Sequence, residues 1–136
     1  MTAIRKINEA EIILNRLGSN TTEFQSDLNL FAKTIQDVFT HLLEEYNSKF
    51  DFKLKHVSLG KFKKSAKRLG KIDAINFLIW YEKEYRKIKD DTMFDFLLKD
   101  VTGEVIFKEG VEDTKKTCSL LLDRVRQMAY YAYENF

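Results

Sequence analysis

The residues best suited to chemistry in this chain are a histidine and two carboxylates on one predicted helix. His41 is followed by Glu44 and Glu45, and residues three or four positions apart share a face of an α-helix. An imidazole beside a carboxylate could supply half of a metal site or an acid–base pair. The only other histidine is His56, and no second helix offers a matching histidine or cysteine. We therefore expect no metal ion, and we interpret His41 as a partly exposed side chain paired with Glu45.

The usual nucleophiles and cofactor motifs have no support in the sequence. Cys118 is the single cysteine and falls on the apolar stripe of a predicted helix, and Ser119 beside it has no histidine nearby. A Ser or Cys nucleophile needs such a base. The chain contains neither the Walker lysine loop nor the glycine-rich dinucleotide fingerprint. The sequence thus predicts no catalytic residue and no cofactor, and a core position for Cys118.

A basic segment is the strongest sign of a binding partner. Residues 49–71 carry nine Lys or Arg side chains and one acid, so their net charge is +8 in a chain whose total is +2. Six of the nine lie on a predicted helix and its flanks: Lys61, Lys63, Lys64, Lys67, Arg68 and Lys71. Such a patch suits phosphate oxygens, and the predominance of lysine favours backbone contact over base reading. The alternative is a solvated helix face that pairs with the acidic remainder of the chain.

Apolar residues recur at helical spacing along most of the chain, and five glycines with no proline provide the breaks. Four long predicted helices cover approximately residues 4–17, 24–46, 72–88 and 111–136. A shorter helix around Phe62 precedes the third with Gly70 as the break, and another contains Leu97. We therefore predict an all-α fold, an antiparallel bundle of four main helices plus one or two short helices, forming a single domain over residues 1–136.

The last predicted helix carries more aromatic side chains than one core can accept. Tyr130, Tyr131 and Tyr133 cannot all face inward because consecutive helical positions lie about 100° apart. For Phe77 and Trp80, on the preceding long helix, we expect core packing. Some aromatic surface near the C-terminus should therefore be exposed, and a homodimer interface would cover it.

The composition predicts a cytoplasmic protein with no membrane partner. Hydrophobic residues make up 44% and charged residues 32% of the chain. No segment approaches the roughly 20 apolar residues that a bilayer crossing needs. The first residues mix charges and lack the apolar core of a signal peptide, and a single cysteine fits a reducing compartment.

The region before the last helix resembles the signature region of HEPN domains. After a long helix ending in residues 42–46 and an aromatic helix containing Trp80 and Tyr81, the chain reads Phe94-x-Phe96-Leu97-Leu98-x-Asp100-Val101 and continues through a loop to Gly110. HEPN domains are helical bundles, usually dimeric, from prokaryotic toxin–antitoxin and defence systems, and many are metal-independent ribonucleases. The resemblance implies a helical, dimeric protein.

The residues that catalysis requires in HEPN ribonucleases are missing from this chain. Thr102 falls where the arginine would be, Gly103 where a polar residue would be, and Phe107 where the histidine would be. Without histidine for proton transfer or arginine for phosphate charge, the cleavage mechanism of the family has no chemical basis. The resemblance thus implies a non-catalytic relative that acts by binding. Whether the protein is a binding protein or an enzyme, we expect Phe107 to be buried against the final helix.

Two functional hypotheses follow. We prefer a non-enzymatic bundle that binds protein or nucleic acid, in the form of a catalytically inactive HEPN-like dimer from a defence or toxin–antitoxin setting. The alternative is a ribonuclease or other enzyme whose site combines His41 and Glu45 with the patch from Lys61 to Lys71. The alternative requires the His41 side chain to point into a pocket.

Overall fold

The computed structural model of this chain describes residues 2–18, 23–98 and 110–136. Its helices are α1 (Thr2–Arg16), α2 (Phe24–Lys49), α3 (Leu59–Leu69), α4 (Ile72–Lys89), α5 (Asp95–Leu98) and α6 (Val111–Asn135). A 3-10 turn at Thr92–Phe94 leads into α5, and the Asp91 side chain caps this turn by accepting from the Met93 backbone N–H at 3.0 Å. The described residues contain no β-strand. The predicted all-α class is confirmed.

The first two helices form an antiparallel pair. At one end, the Thr2 hydroxyl donates to the Glu45 carboxylate at 3.2 Å. At the other end, the Arg16 guanidinium donates to Asp27 at 3.0 Å. The start of α1 meets the end of α2, and the end of α1 meets the start of α2. The two helices therefore run in opposite directions along their whole contact.

Helix α4 packs antiparallel to α2 through aromatic rings. Phe77 in the first half of α4 stacks on Tyr46 near the end of α2, with ring centroids 4.1 Å apart. Further along α4, Tyr85 meets Phe39 edge-on at 4.8 Å. Rings in these arrangements bury large areas and add favourable quadrupole contacts. These pairs join the two halves of the chain into one core.

Helix α6 closes the bundle between α1 and α4. Its start at Val111 lies against Gly18, which follows α1, and Phe136 after its end packs against Phe77 of α4, with ring centroids 5.5 Å apart. Helix α6 therefore runs antiparallel to both neighbours. The pairs α1–α2, α2–α4, α1–α6 and α4–α6 are antiparallel, as the sequence predicts. Helices α2 and α6 run in the same direction, and their last turns meet where the Tyr133 hydroxyl donates to Glu45.

The bundle encloses one hydrophobic core. The largest side chains in it that are essentially inaccessible to solvent include Ile7, Phe31, Tyr46, Phe62, Phe77, Phe94 and Leu121. Cys118 is also fully buried, and burial raises the pKa of its thiol to about 12. Because the thiolate is the reactive form, this cysteine is inert at neutral pH. Its predicted place in the core is confirmed.

The second half of the basic segment forms helix α3, which packs along α4. The Ser58 hydroxyl caps its start by accepting from the Lys61 backbone N–H at 3.3 Å. Phe62 and Ala66 are fully buried and anchor the inner side of α3. Gly70 ends the helix with a φ of 63°, a left-handed conformation that glycine adopts without strain. The chain then reverses into α4, so that the polar side of α3 faces solvent.

Candidate functional site

Three of the basic side chains predicted to bind nucleic acid share the solvent-facing side of α3. Lys61, Lys64 and Arg68 are exposed, and their spacing of three and four positions aligns them on one face of the helix. Helix α3 contains no acidic residue. None of the three cations pairs with a carboxylate in the part of the chain that the structure describes. We call these three residues the outer face of α3.

Lys63 and Lys67 lie on a different side of α3, along a groove between α3 and α4. The groove has a volume of about 410 Å³. The Lys63 ammonium lies 2.7 Å from one oxygen of Glu82 on α4, and the Arg86 guanidinium lies 2.9 Å from the other. The hydrogen bond from Lys63, together with the positive charges of Lys63 and Arg86, holds the pKa of the Glu82 carboxyl below its ordinary value. The groove thus contains one carboxylate held by cations from both helices.

The floor of this groove is apolar, and α4 adds two cations to its rim. Lys83 and Arg86 line the groove with Lys63 and Lys67. The apolar lining residues are Ala66, Ile75, Leu78 and Ile79. The sequence analysis missed Lys83 and Arg86 because they lie outside the basic segment. Their positions one and two helical turns after Ile79 are the signal that places them on the same side of α4.

Lys71 is separated from the other five predicted cations. Its ammonium donates to the Phe50 carbonyl at 2.7 Å and lies 5.1 Å from the centre of the Phe52 ring. A cation over an aromatic ring gains electrostatic attraction. Lys71 therefore holds the segment after α2 against the start of α4. The six predicted residues form three groups: three on the outer face, two on the groove and one at this junction.

The carboxylates near His41 do not form the predicted arrangement. His41 lies 3.1 Å from Glu44, between Nδ1 and Oε2. Glu45 accepts instead from the Ala3 backbone N–H at 2.7 Å and from the Tyr133 hydroxyl at 2.6 Å. Burial and this hydrogen bond raise the pKa of Tyr133 well above its ordinary value. The predicted His41–Glu45 pair is therefore wrong, because Glu45 faces α1 and α6 and is used there.

Two further features of the sequence concern metal ligands and the region before the last helix. Within residues 2–18, 23–98 and 110–136, no group of three or more His, Cys, Asp or Glu side chains is arranged to hold a metal ion. The positions compared with the HEPN motif, Thr102, Gly103 and Phe107, lie outside the described residues, as does the predicted burial of Phe107.

The C-terminal aromatic side chains are divided between core and surface. Tyr130 and Tyr131 are 47% and 48% exposed, whereas Tyr133 is half-buried. Tyr131 also stacks on Trp80 of α4 with ring centroids 5.1 Å apart. The prediction that the tyrosines do not all face the core is confirmed. Phe77 is fully buried and Trp80 packs against the core, as predicted.

Among the described residues, none of the helices combines the length and the apolar character that crossing a bilayer requires. Comparison of the chain with protein-family models, with curated proteins and with solved structures finds no match.

Proposed function

We propose that this protein is a non-catalytic, HEPN-like helical bundle that binds the phosphate backbone of nucleic acids through the outer face of α3. The observation that carries the proposal is the alignment of Lys61, Lys64 and Arg68, all exposed and none paired with a carboxylate in the described part of the chain. Their backbone positions span roughly 10 Å along the helix axis. Four successive phosphates of one strand span about the same distance along the duplex axis, at roughly 3.4 Å each, so each cation can meet its own phosphate.

The composition of the outer face supports contact with the backbone and not with base edges. Two of its three cations are lysines, which act as point charges, and no aromatic side chain lies among them to stack on a base. Phosphate contacts carry no sequence information. We therefore expect binding that is strongly salt-dependent and nearly indifferent to sequence.

Two observations favour binding over the alternative enzyme hypothesis. His41 and Glu45, the groups that an enzyme site would combine, contact different partners, Glu44 and Tyr133. In the HEPN resemblance, Thr102 and Phe107 replace the arginine and histidine of active members. A proton-transfer group and a charge-stabilising group acting together are what such cleavage needs.

We also propose that the protein forms a homodimer through α6, as HEPN domains usually do, and that it acts in the cytoplasm within a defence or toxin–antitoxin setting. Exposed apolar side chains on α6 support the dimer: Leu120, Tyr130 and Tyr131 are 49%, 47% and 48% exposed. The single buried cysteine supports a reducing compartment.

Binding of fluorescently labelled RNA and DNA, measured by anisotropy at low salt, tests the phosphate-binding proposal. The clustered variant reverses the charges of the outer face: Lys61→Glu, Lys64→Glu and Arg68→Glu. A matched distributed variant reverses one arginine and two lysines exposed on α1, α2 and α6: Arg5→Glu, Lys33→Glu and Lys116→Glu. Both variants have the same net charge. We expect the clustered variant to lose affinity by at least about tenfold and the distributed variant by less than about threefold.

An equal loss of affinity in the two variants would mean that net charge alone attracts nucleic acid, and would contradict the proposal. Absence of binding by the unmodified protein at low salt would contradict it as well. Circular dichroism of both variants establishes that the helical fold is intact.

A further inference from the structure

The surface beside the proposed phosphate-binding face has an apolar character that phosphate contacts leave unexplained. Ile72 and Ile79 lie two turns apart on the same side of α4 and are 69% and 64% exposed. Leu69 at the end of α3 is 56% exposed. Ile79 lines the α3–α4 groove together with Ile75, which is half-buried. Exposed aliphatic side chains that line a groove, as Ile79 does here, indicate a binding surface more often than isolated ones on an open surface do.

The charges around this groove indicate which kind of ligand it would bind. Lys67 stands on the α3 rim and Lys83 on the α4 rim, and neither pairs with a carboxylate among the described residues. Between the same two helices, Lys63 and Arg86 both hold Glu82. One cation from each helix therefore lies at hydrogen-bonding distance from the same carboxylate. Lys67 and Lys83 have no carboxylate partner among the described residues. The groove is suited to additional carboxylates from outside.

We propose that the α3–α4 groove binds an amphipathic helix with acidic flanks from a partner protein. Apolar side chains of that helix, at spacings of three and four residues, would cover Ile75 and Ile79, and its Asp or Glu side chains would pair with Lys67 and Lys83. Helix α3 has 11 residues and is roughly 17 Å long, which matches about three turns of the partner.

Nucleic acid is a poorer occupant of this groove. Its floor is aliphatic and offers no aromatic ring on which a base can stack. Phosphates bound to the rim would also leave Ile79 exposed to water, so that the apolar area would contribute nothing. The inference goes beyond the proposed phosphate contact because it uses other residues on another side of α3, and either proposal can fail without the other.

The test measures anisotropy of a labelled synthetic peptide of about 14 residues, roughly four helical turns, with leucines at helical spacing and glutamates on both flanks. One control peptide has the same composition with the leucine spacing scrambled, and another has lysine in place of glutamate. The protein variants are Ile79→Ser and the pair Lys67→Glu with Lys83→Glu. The matched control is Ile12→Ser on α1, because Ile12 is 62% exposed.

We expect the acidic amphipathic peptide to bind, and both groove variants to weaken it by about tenfold. We expect the Ile12→Ser protein to bind it as the unmodified protein does, and both control peptides to bind far more weakly. No binding of the acidic peptide, equal binding of the scrambled peptide, or equal effects at Ile79 and Ile12 would overturn the proposal. If no peptide binds and the Lys67→Glu/Lys83→Glu protein loses nucleic-acid binding, the groove would instead be a second phosphate site.

Discussion

At the scale of single residues, tertiary contacts decide which of several sequence-compatible pairs forms. His41 has carboxylates three and four positions ahead, and both spacings allow a contact. His41 pairs with Glu44 because Glu45 is already bound by two other elements. Glu45 accepts hydrogen bonds from the Ala3 backbone N–H of α1 and from the Tyr133 hydroxyl of α6. The sequence of α2 contains neither partner, so periodicity alone could not predict the outcome.

The Glu82 carboxylate on α4 forms an ion pair with Lys63 on α3. We expect its contribution to the stability of the fold to depend on pH. Its pKa is lower in the folded protein than in the unfolded chain, chiefly through the Lys63 hydrogen bond. The carboxylate therefore stabilises the fold above its unfolded pKa, and this stabilisation is lost as pH falls through the folded pKa. We expect Glu82→Gln to lower the melting temperature by about 1–3 °C at pH 7, a small effect because the ion pairs are partly solvated.

The melting temperatures of both proteins from pH 7 down to pH 3 check this prediction, and the difference should shrink toward the acid end. Glu84→Gln is the matched control, because Glu84 pairs with Lys87 within α4 and pairs with no second helix in the part of the chain that the structure describes. A difference that is constant over the whole range would show that the Glu82 charge is not the cause.

At the scale of secondary-structure elements, helices and their breaks follow from local sequence, whereas the orientation of a helix on its neighbours does not. Apolar periodicity and Gly70 predict α3 and its end. The basic side chains of α3 point to several sides, and only the packing of Phe62 and Ala66 determines which of them face solvent. This is why a patch of six predicted cations divides into three groups, and why Lys83 was missed.

Helix α6 carries the element-scale prediction, because its exposed apolar side chains are the proposed dimer surface. Leu120 lies three turns before Tyr131 on the same side of the helix and is 49% exposed. We expect light scattering after size-exclusion chromatography to give twice the 16.1 kDa mass of one chain. Leu120→Glu should give the mass of one chain, because a charge in an apolar interface is costly to desolvate.

The matched control for the dimer is Leu30→Glu, since Leu30 on α2 is 45% exposed and lies on another element. It should leave the mass of the dimer unchanged. A mass of 16.1 kDa for the unmodified protein at high concentration would contradict the dimer while leaving the phosphate-binding proposal intact.

At the scale of the whole molecule, charge is distributed unevenly although its total is small. Residues 49–71 carry +8, so the remaining residues carry −6 in a chain of net charge +2. An anionic ligand is therefore attracted to the surface that residues 49–71 form more than to the rest of the chain, which orients its approach. The sequence predicts this polarity directly, because charge counts need no knowledge of packing. The positions of the cations on the bundle come only from the fold.

The central claim, that the outer face of α3 binds the phosphate backbone, is tested most directly by the salt dependence of duplex binding. Three phosphate contacts contribute a slope of about −2.7 to log K against log salt, or about a 40-fold loss of affinity between 50 and 200 mM salt. We predict that Lys61→Glu, Lys64→Glu and Arg68→Glu together remove this contribution, and that the distributed variant keeps it. An unchanged slope in the clustered variant would contradict the claim.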